Sequence, residues 1–567
     1  MKYMKLGTKP DIFYTEEAVR SVLSDVPTDI IIHVNSTKYL LHKFPLLLKC
    51  GLLQRLCSDA DDDSDQPIPI ALHDVPGGEE AFELCAKFCY GITINLSAHN
   101  FAQAISAARF LRMTESVAKG NVIVKLESFF DSWILQGWKD PIVTLQSVGK
   151  LSGWLDNPRI VQPCMDAIIE KILAEPSKVT WSYTYTRPGY SKKDRHSVPK
   201  DWWTEDVSEL ELDLFRSIIS TVRVTKKLPP ALIGEALHVY ACKHLPDPME
   251  TQGLLAQSST ARTEETLAKG KRVLESIVSM IPSERGSVSG RFLLRLLKIA
   301  NHVGASSSTK AELVRRSGRQ LDEAMPGDLL IPLPSNPQEY DVGIVEAVLE
   351  NFLIQLRRPI PPEENGRMLG SMARVATIFD SYLQVIAQDT DFPVSKFCDL
   401  AEFLPEMARQ EHDGLYRAID TYLKEHPDLS KAERKRLCQM INCQKLSPAA
   451  RSHAIGNDRL PLRTIVQLLF VEQERAGGAG SNHGVPPVRS SNEVSAARVT
   501  QDDGRRPRQG SDEGLQHRGE PVQGRRVKSV EMRRMGRSTS ESRMTRKEKE
   551  RAVEKGEGSG SKIRLNQ

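Results

Sequence analysis

Apolar residues in this chain keep a two-residue period only near its start and a helical period over most of its remaining length. Asp29-Ile-Ile-Ile-His-Val34 is a β-branched run, Asn35-Ser-Thr37 carries turn chemistry, and Lys38-Tyr-Leu-Leu-His42 comes next, which predicts a hairpin. Leu48, Leu52 and Leu56 are in step across Phe44–Leu56 and predict one helix there. Ser58–Gln66 reads as a solvated acidic loop and Ile68–Leu72 as a third strand. Glu79–Tyr90 is expected to be a helix with Phe82, Cys85, Ala86 and Cys89 inward and Gly91 as its stop. Helical stretches come after it around Ser97–Leu111 and Glu115–Ile134. Strands early and helices late predict a compact α+β domain over 27–138, behind a leading segment, 1–26.

Residues 139–200 read as a helical connector and a polar loop. Asn157–Ala174 is helical and stops near Pro176, and Trp181–Lys200 is basic, with Pro and Gly. From 201 to 476 no strand period is visible, which predicts one helical domain or two packed together. Asp201-Trp-Trp-Thr-Glu-Asp206 introduces a helix with Leu210, Leu214, Ile218 and Val222 on one face, and Leu232–Cys242 is another. Residues 247–270 read as a polar linker, then Leu274–Ile281, Arg291–Val303 and Ala311–Ala324 alternate with turns. Ile344, Val345, Val348, Leu349, Phe352 and Leu356 form one apolar stripe, and Met368, Met372, Val375, Phe379, Tyr382 and Ile386 another. Val394–Met407, Gly414–Lys424, Ser430–Ile441 and Leu460–Arg475 complete the set. Thr309-Lys-Ala-Glu312 and Ser430-Lys-Ala-Glu433 each have the capping-box pattern.

Two resemblances rest on these segments. Asp29, Leu40-Leu-His42-Lys43-Phe-Pro-Leu46 and Phe82–Gly91, with a small late strand at Ile92–Asn95, make the first block similar to a BTB/POZ domain. Asp29, His42 and Lys43 are then fold markers that tie strand ends, with no catalytic part. Met4-Lys-Leu-Gly7, Asp201-Trp-Trp203, Asp328-Leu-Leu-Ile-Pro332 and Leu415–Pro427 extend the likeness over about 1–476. The chain resembles the plant BTB proteins named for non-phototropic hypocotyl 3 and root phototropism, with naked-pins-like members included. Arg451–Asp458 departs from the family pattern, and the insert before Met368 is short. Tyr416 and Tyr422 fall in the family's tyrosine motif, where the resemblance implies phosphorylation. Tyr416, beside Leu415 and Ile419 on a helix, also fits a packed core tyrosine.

Charge changes the picture at the far end. The formal net charge is +4, but residues 477–567 hold 20 Lys/Arg and 12 Asp/Glu and lack Phe, Tyr and Trp. A mildly acidic body therefore carries a disordered basic tail. Arg525–Arg551 alone holds 11 basic and 4 acidic residues, which suits an anionic membrane surface and equally a solvated tail without a partner. Ser529, Ser538 and Ser540 are candidate phosphosites, with arginine three residues ahead of Ser529 and Ser540. Without interleaved aromatics, no nucleic acid is expected as a partner.

Catalytic signatures fail on context. Gly270-Lys271 lacks the rest of a phosphate loop, and neither a His-Glu-x-x-His nor a Gly-x-Ser-x-Gly occurs. His238 and Cys242, with His244 nearby, have metal-ligand spacing, but no second cluster completes a set. Helix packing is the expected role, as for Cys85/Cys89 and Cys438/Cys443; a reactive thiol needs a basic neighbour that sequence does not place. No enzyme activity, cofactor or metal is expected. Nine scattered cysteines suit a reducing, cytoplasmic setting, with peripheral attachment at the plasma membrane allowed. The family resemblance implies a substrate adaptor of a cullin-3 ubiquitin ligase in light and auxin signalling. The BTB domain would dimerise and dock cullin-3 while the helical domain recruits the target. Leu56-Cys-Ser-Asp59 stands where cullin-binding relatives often have apolar-x-Glu. The alternative is a plasma-membrane scaffold for signalling kinases or auxin-transport components, without ubiquitin transfer.

Overall fold

Few apolar positions are available near the start, so the strands are short. They are β1 (Tyr3–Leu6), β2 (Phe13–Glu16), β3 (Val19–Val22), β4 (Ile30–Val34), β5 (Thr37–Leu41), β6 (Ile68–Leu72) and β7 (Ile94–Ser97). The computed structural model describes residues 2–59, 66–149, 151, 158–187, 198–246, 260–334, 336, 339–356 and 365–479. Ile30, Ile32 and Val34 are buried along β4 while His33 faces solvent, the alternation of a half-buried strand.

Five strands form one sheet in the order β2-β3-β5-β4-β6, and β1 pairs with β7 in a second, antiparallel one. The β4–β5 hairpin is antiparallel in the expected register, with Val34 opposite Thr37. β6 lies parallel to β4, with Ile70 opposite Ile32. The stretch set apart as a leading segment, 1–26, supplies β1, β2 and β3 and so belongs to this fold. Its four-residue strands alternate too weakly to stand out in the sequence.

The expected helix Phe44–Leu56 is two, α1 (Lys43–Leu47) and α2 (Gly51–Ser58). Cys50 is extended between them, so the Gly51 and Leu52 N–H groups donate to Arg112 and Leu111 carbonyls at 3.4 and 3.1 Å. A Cβ on Gly51 would come within 3.1 Å of that Arg112 oxygen. Tertiary hydrogen bonds thus override a continuous apolar stripe. Next come α3 (Gly78–Tyr90), stopped by Gly91 at φ 74°, α4 (Phe101–Phe110) and α5 (Val122–Phe129). Ser97 is strand, not helix, because Asn100 accepts from its N–H at 2.9 Å and shapes the turn. The late strand accordingly lies two residues beyond the expected Ile92–Asn95.

The remaining helices are α6 (Lys139–Val148), α7 (Pro158–Ile172), α8 (Thr204–Val207), α9 (Leu212–Thr225), α10 (Pro230–His244), α11 (Thr260–Met280), α12 (Gly290–His302) and α13 (Ser307–Arg319). Then come α14 (Val342–Leu356), α15 (Asn365–Ile386), α16 (Val394–Glu402), α17 (Asp413–Glu425), α18 (Lys431–Gln439), α19 (Pro448–Ile455) and α20 (Leu462–Ala479). Among the described residues after 201, β pairing is confined to one bridge, Pro332–Tyr340. The linker expected over 247–270 is helical from Thr260; its polar composition hid a helix whose apolar contacts begin near Leu267. Ser430 caps α18 as expected, accepting from Glu433 N at 3.3 Å while Glu433 accepts from Ser430 N at 2.9 Å. Thr309 caps nothing. α13 starts a turn earlier behind Ser306, and Glu312 is held by Arg315 and Arg316.

The Asp201-Trp-Trp203 segment is a packing hub. Trp202 and Trp203 are fully buried, and Trp138 crosses Trp202 edge-on at 4.5 Å. The Trp138 indole N–H donates to Asp206 Oδ2 at 2.7 Å, and the same oxygen accepts from Thr184 N. This polar group ties the start of α6 to α8 without leaving a buried carboxylate unpaired.

Candidate functional site

Three surfaces carry the residues that sequence singled out. At the first, Asp29 Oδ1 accepts from the Lys43 N–H at 2.6 Å, fixing the first turn of α1 to the start of β4. His42 is nearly buried; its N–H donates to Tyr90 Oη at 2.8 Å, its Nδ1 lies 3.1 Å from the same oxygen, and its Nε2 meets Val26 O at 3.0 Å. Burial pushes the Tyr90 hydroxyl up to about 12, so it stays a neutral donor and acceptor. These contacts hold α1 with Phe44 and Leu48 in solvent, 75% and 51% exposed.

The second surface lies at the end of the helical region. Tyr416 and Tyr422, on α17, are both almost fully buried. Tyr416 Oη meets His453 Nδ1 at 2.7 Å and accepts from Asn457 Nδ2 at 3.2 Å. The Tyr422 hydroxyl donates to Phe392 O at 2.5 Å, and its ring stacks on His426 at 3.8 Å. Both hydroxyls are engaged inside the packing. Nearby, α20 turns Leu462, Val466, Leu469 and Phe470 outward, and Phe470 borders a groove of about 700 Å³ that also takes in Lys435 and Arg463.

The third is a groove of about 890 Å³ between α6, the 184–187 segment, α8 and α10. On α10, Glu235, His238 and Cys242 share a face at three- and four-residue spacing. His238 Nε2 lies 3.5 Å from Cys242 Sγ, and its Nδ1 lies 3.5 Å from Glu235. Arg187 reaches Glu235 at 2.9 Å and Asp201 at 2.7 Å, and Arg295 Nη1 donates to Cys242 Sγ at 3.0 Å. The Cys242 and Glu235 partners push His238 up to about 9, and His238 and Arg295 together hold the Cys242 thiol below its ordinary value. His244 turns to Ser208 O at 2.7 Å, away from this cluster. Among the described residues, no group of three or more His, Cys, Asp and Glu is arranged to hold a metal. Arg295 reaches Cys242 from 53 residues downstream and Arg187 reaches Glu235 from 48 residues upstream, proximities with no local signal, whereas His238 lies four residues from the thiol. Ser529, Ser538, Ser540 and most of the acidic loop lie outside the described residues.

The NPH3 family model matches residues 201–451, which contain α8 to α18 and the tyrosine motif. A BTB/POZ domain-containing protein of Arabidopsis thaliana, At5g47800, is 53% identical over 487 residues, covering 85% of this chain and 86% of its own length. The chain belongs to the NPH3 family. Other Arabidopsis thaliana relatives of this NPH3-family chain include the phototropic-responsive NPH3 family protein NPY2, 40% identical over 85% of this chain and 78% of its own. Root phototropism protein 3 is 35% identical over 84% and 78%. No solved structure matches the chain. No described helix is long and apolar enough to cross a membrane.

Proposed function

We propose that this NPH3-family protein is a substrate-recruiting adaptor of a cullin-3–RING ubiquitin ligase in plant light and auxin signalling. On this reading the N-terminal α+β region is a BTB domain that dimerises and docks cullin-3, and the helical region binds the target. The observation that carries it is family membership, with relatives named for a BTB/POZ domain and for phototropic response. Two features support it. The Asp29–Lys43 and His42–Tyr90 contacts present Phe44 and Leu48 as apolar surface for a second protein, and α20 offers an apolar strip to a target. The protein itself performs no chemistry in this role and works in the cytoplasm, peripherally at the plasma membrane. The test is a pull-down of the purified full chain with purified cullin-3. Binding at micromolar protein is expected, lost on Phe44→Asp with Leu48→Asp while the melting temperature holds. Absence of binding, with a kinase or transport partner still recruited, would replace the adaptor with a membrane scaffold.

A further inference from the structure

Cys242 differs from most other cysteines in what surrounds its sulfur. Burial pushes the thiols of Cys85, Cys164, Cys398, Cys438 and Cys443 up. Cys242 is exposed, and His238 and Arg295 reach it from two different helices. Phe292 packs edge-on against the His238 ring at 4.9 Å and fixes its plane. Glu235, held by Arg187, faces the other ring nitrogen. An ordinary cysteine is only a few per cent thiolate near neutrality; a cationic imidazole and a guanidinium beside the sulfur raise that fraction. The titratable and charged groups facing the thiol are therefore Glu235 and His238 on its own helix, Arg295 on α12, and Arg187 with Asp201 behind Glu235.

The thiol also borders a cavity. At about 890 Å³ the groove is within the size range of small-molecule sites, roughly 300–1,000 Å³. Ile142, Val143 and Val239 give it an apolar wall, and Lys139, Lys243 and Glu205 give it charges of both signs. Such a lining matches a short peptide with carboxylates, an ammonium and little apolar bulk.

We propose that Cys242 is a modification site that takes up a low-molecular-weight disulfide of the glutathione class by thiol–disulfide exchange. The Cys242 thiolate forms a new S–S bond to one sulfur of the incoming disulfide. That disulfide's own S–S bond breaks, and the electron pair leaves with its other half as a thiolate, which takes a proton from solvent. The incoming disulfide is the oxidant, and excess thiol reverses the step. His238 and Arg295 are positioning residues that act through the sulfur's ionisation. This inference goes beyond the adaptor reading and does not depend on it.

The test uses the full chain with glutathione disulfide, followed by peptide mass mapping and by iodoacetamide alkylation rates against pH. Cys242 is expected to carry the mixed disulfide first and to alkylate fastest at pH 7. His238→Gln and Arg295→Met should each slow Cys242 at pH 7 by about three- to tenfold. The rates should converge with the parent's in alkali, where every exposed thiol is ionised, and Arg295→Lys should restore part of the loss. Helical circular dichroism confirms that each variant is folded. Modification that reaches Cys57 as fast as Cys242, or a Cys242 profile unmoved in both variants, overturns the proposal. So does alkylation without any uptake of glutathione, which would leave a reactive thiol but no disulfide site.

Discussion

A single hydroxyl, that of Tyr90, completes the entry to α1. It accepts from the His42 backbone and lies within bonding distance of the His42 ring, so its loss leaves a part-buried N–H without a partner. Tyr90→Phe should cost about 1–3 kcal/mol in urea unfolding, with the strand content unchanged by circular dichroism. His412 gives a pH prediction. Burial, with Lys445 and Arg409 nearby, pushes its imidazole down to about 4, and its Nδ1 accepts from Asn442 N at 3.1 Å. The folded state therefore holds His412 neutral where the unfolded chain protonates it, so folding binds fewer protons between pH 6.5 and 4. Stability contributed by this group is present above pH 6.5 and is lost as pH falls toward 4, by about 1–2 kcal/mol after solvent screening. In His412→Asn, whose side-chain oxygen can accept the same hydrogen bond, the unfolding free energy should fall less over that window; a slope equal to the parent's would show that other groups set it.

At the scale of elements, close approach decides more than propensity. Gly234 is inside α10, where glycine is a poor helix former, yet a Cβ there would lie 1.7 Å from Ser287 O. Gly234→Ala must push α10 from the turn before α12, at a cost of about 3 kcal/mol or more, seen as a lower melting temperature. Because Cys242 and Arg295 lie on those two helices, the same variant should also shift the thiol's alkylation rate. Sequence resolves elements where one face dominates: the β4–β5 hairpin, α3 with its glycine stop, and the stripes of α14 and α15. It fails where distant backbone intervenes, as when Leu111 and Arg112 carbonyls split α1 from α2, or where polar residues continue a helix, as at Thr260. The site is legible in part. Tyr416, Tyr422, Asp29 and His42 stand out by motif, while the cluster at Cys242 needs Arg187 and Arg295, which only tertiary packing delivers.

For the whole molecule, charges of opposite sign predominate in different parts of the chain. The folded body is mildly acidic and the excess of positive charge is beyond residue 476. With on the order of 1 kcal/mol per basic residue near anionic lipid, the full chain should float with phosphatidylserine vesicles at low salt and release as salt rises. Changing Ser529, Ser538 and Ser540 to Asp should weaken flotation several-fold; flotation indifferent to salt and to these changes would assign the tail no membrane role. The tyrosine motif bears on where the folding unit stops. The match to the NPH3 family model ends at residue 451, but the hydroxyl of Tyr416 is satisfied by His453 and Asn457, and Asp420 by Asn457 and Arg459. A fragment cut at the edge of that match would strip these four hydrogen-bonded contacts from α17 and lose α20 altogether. The stretch that the family model matches is thus shorter than the unit that can stand alone, and a stable fragment should extend at least through α20.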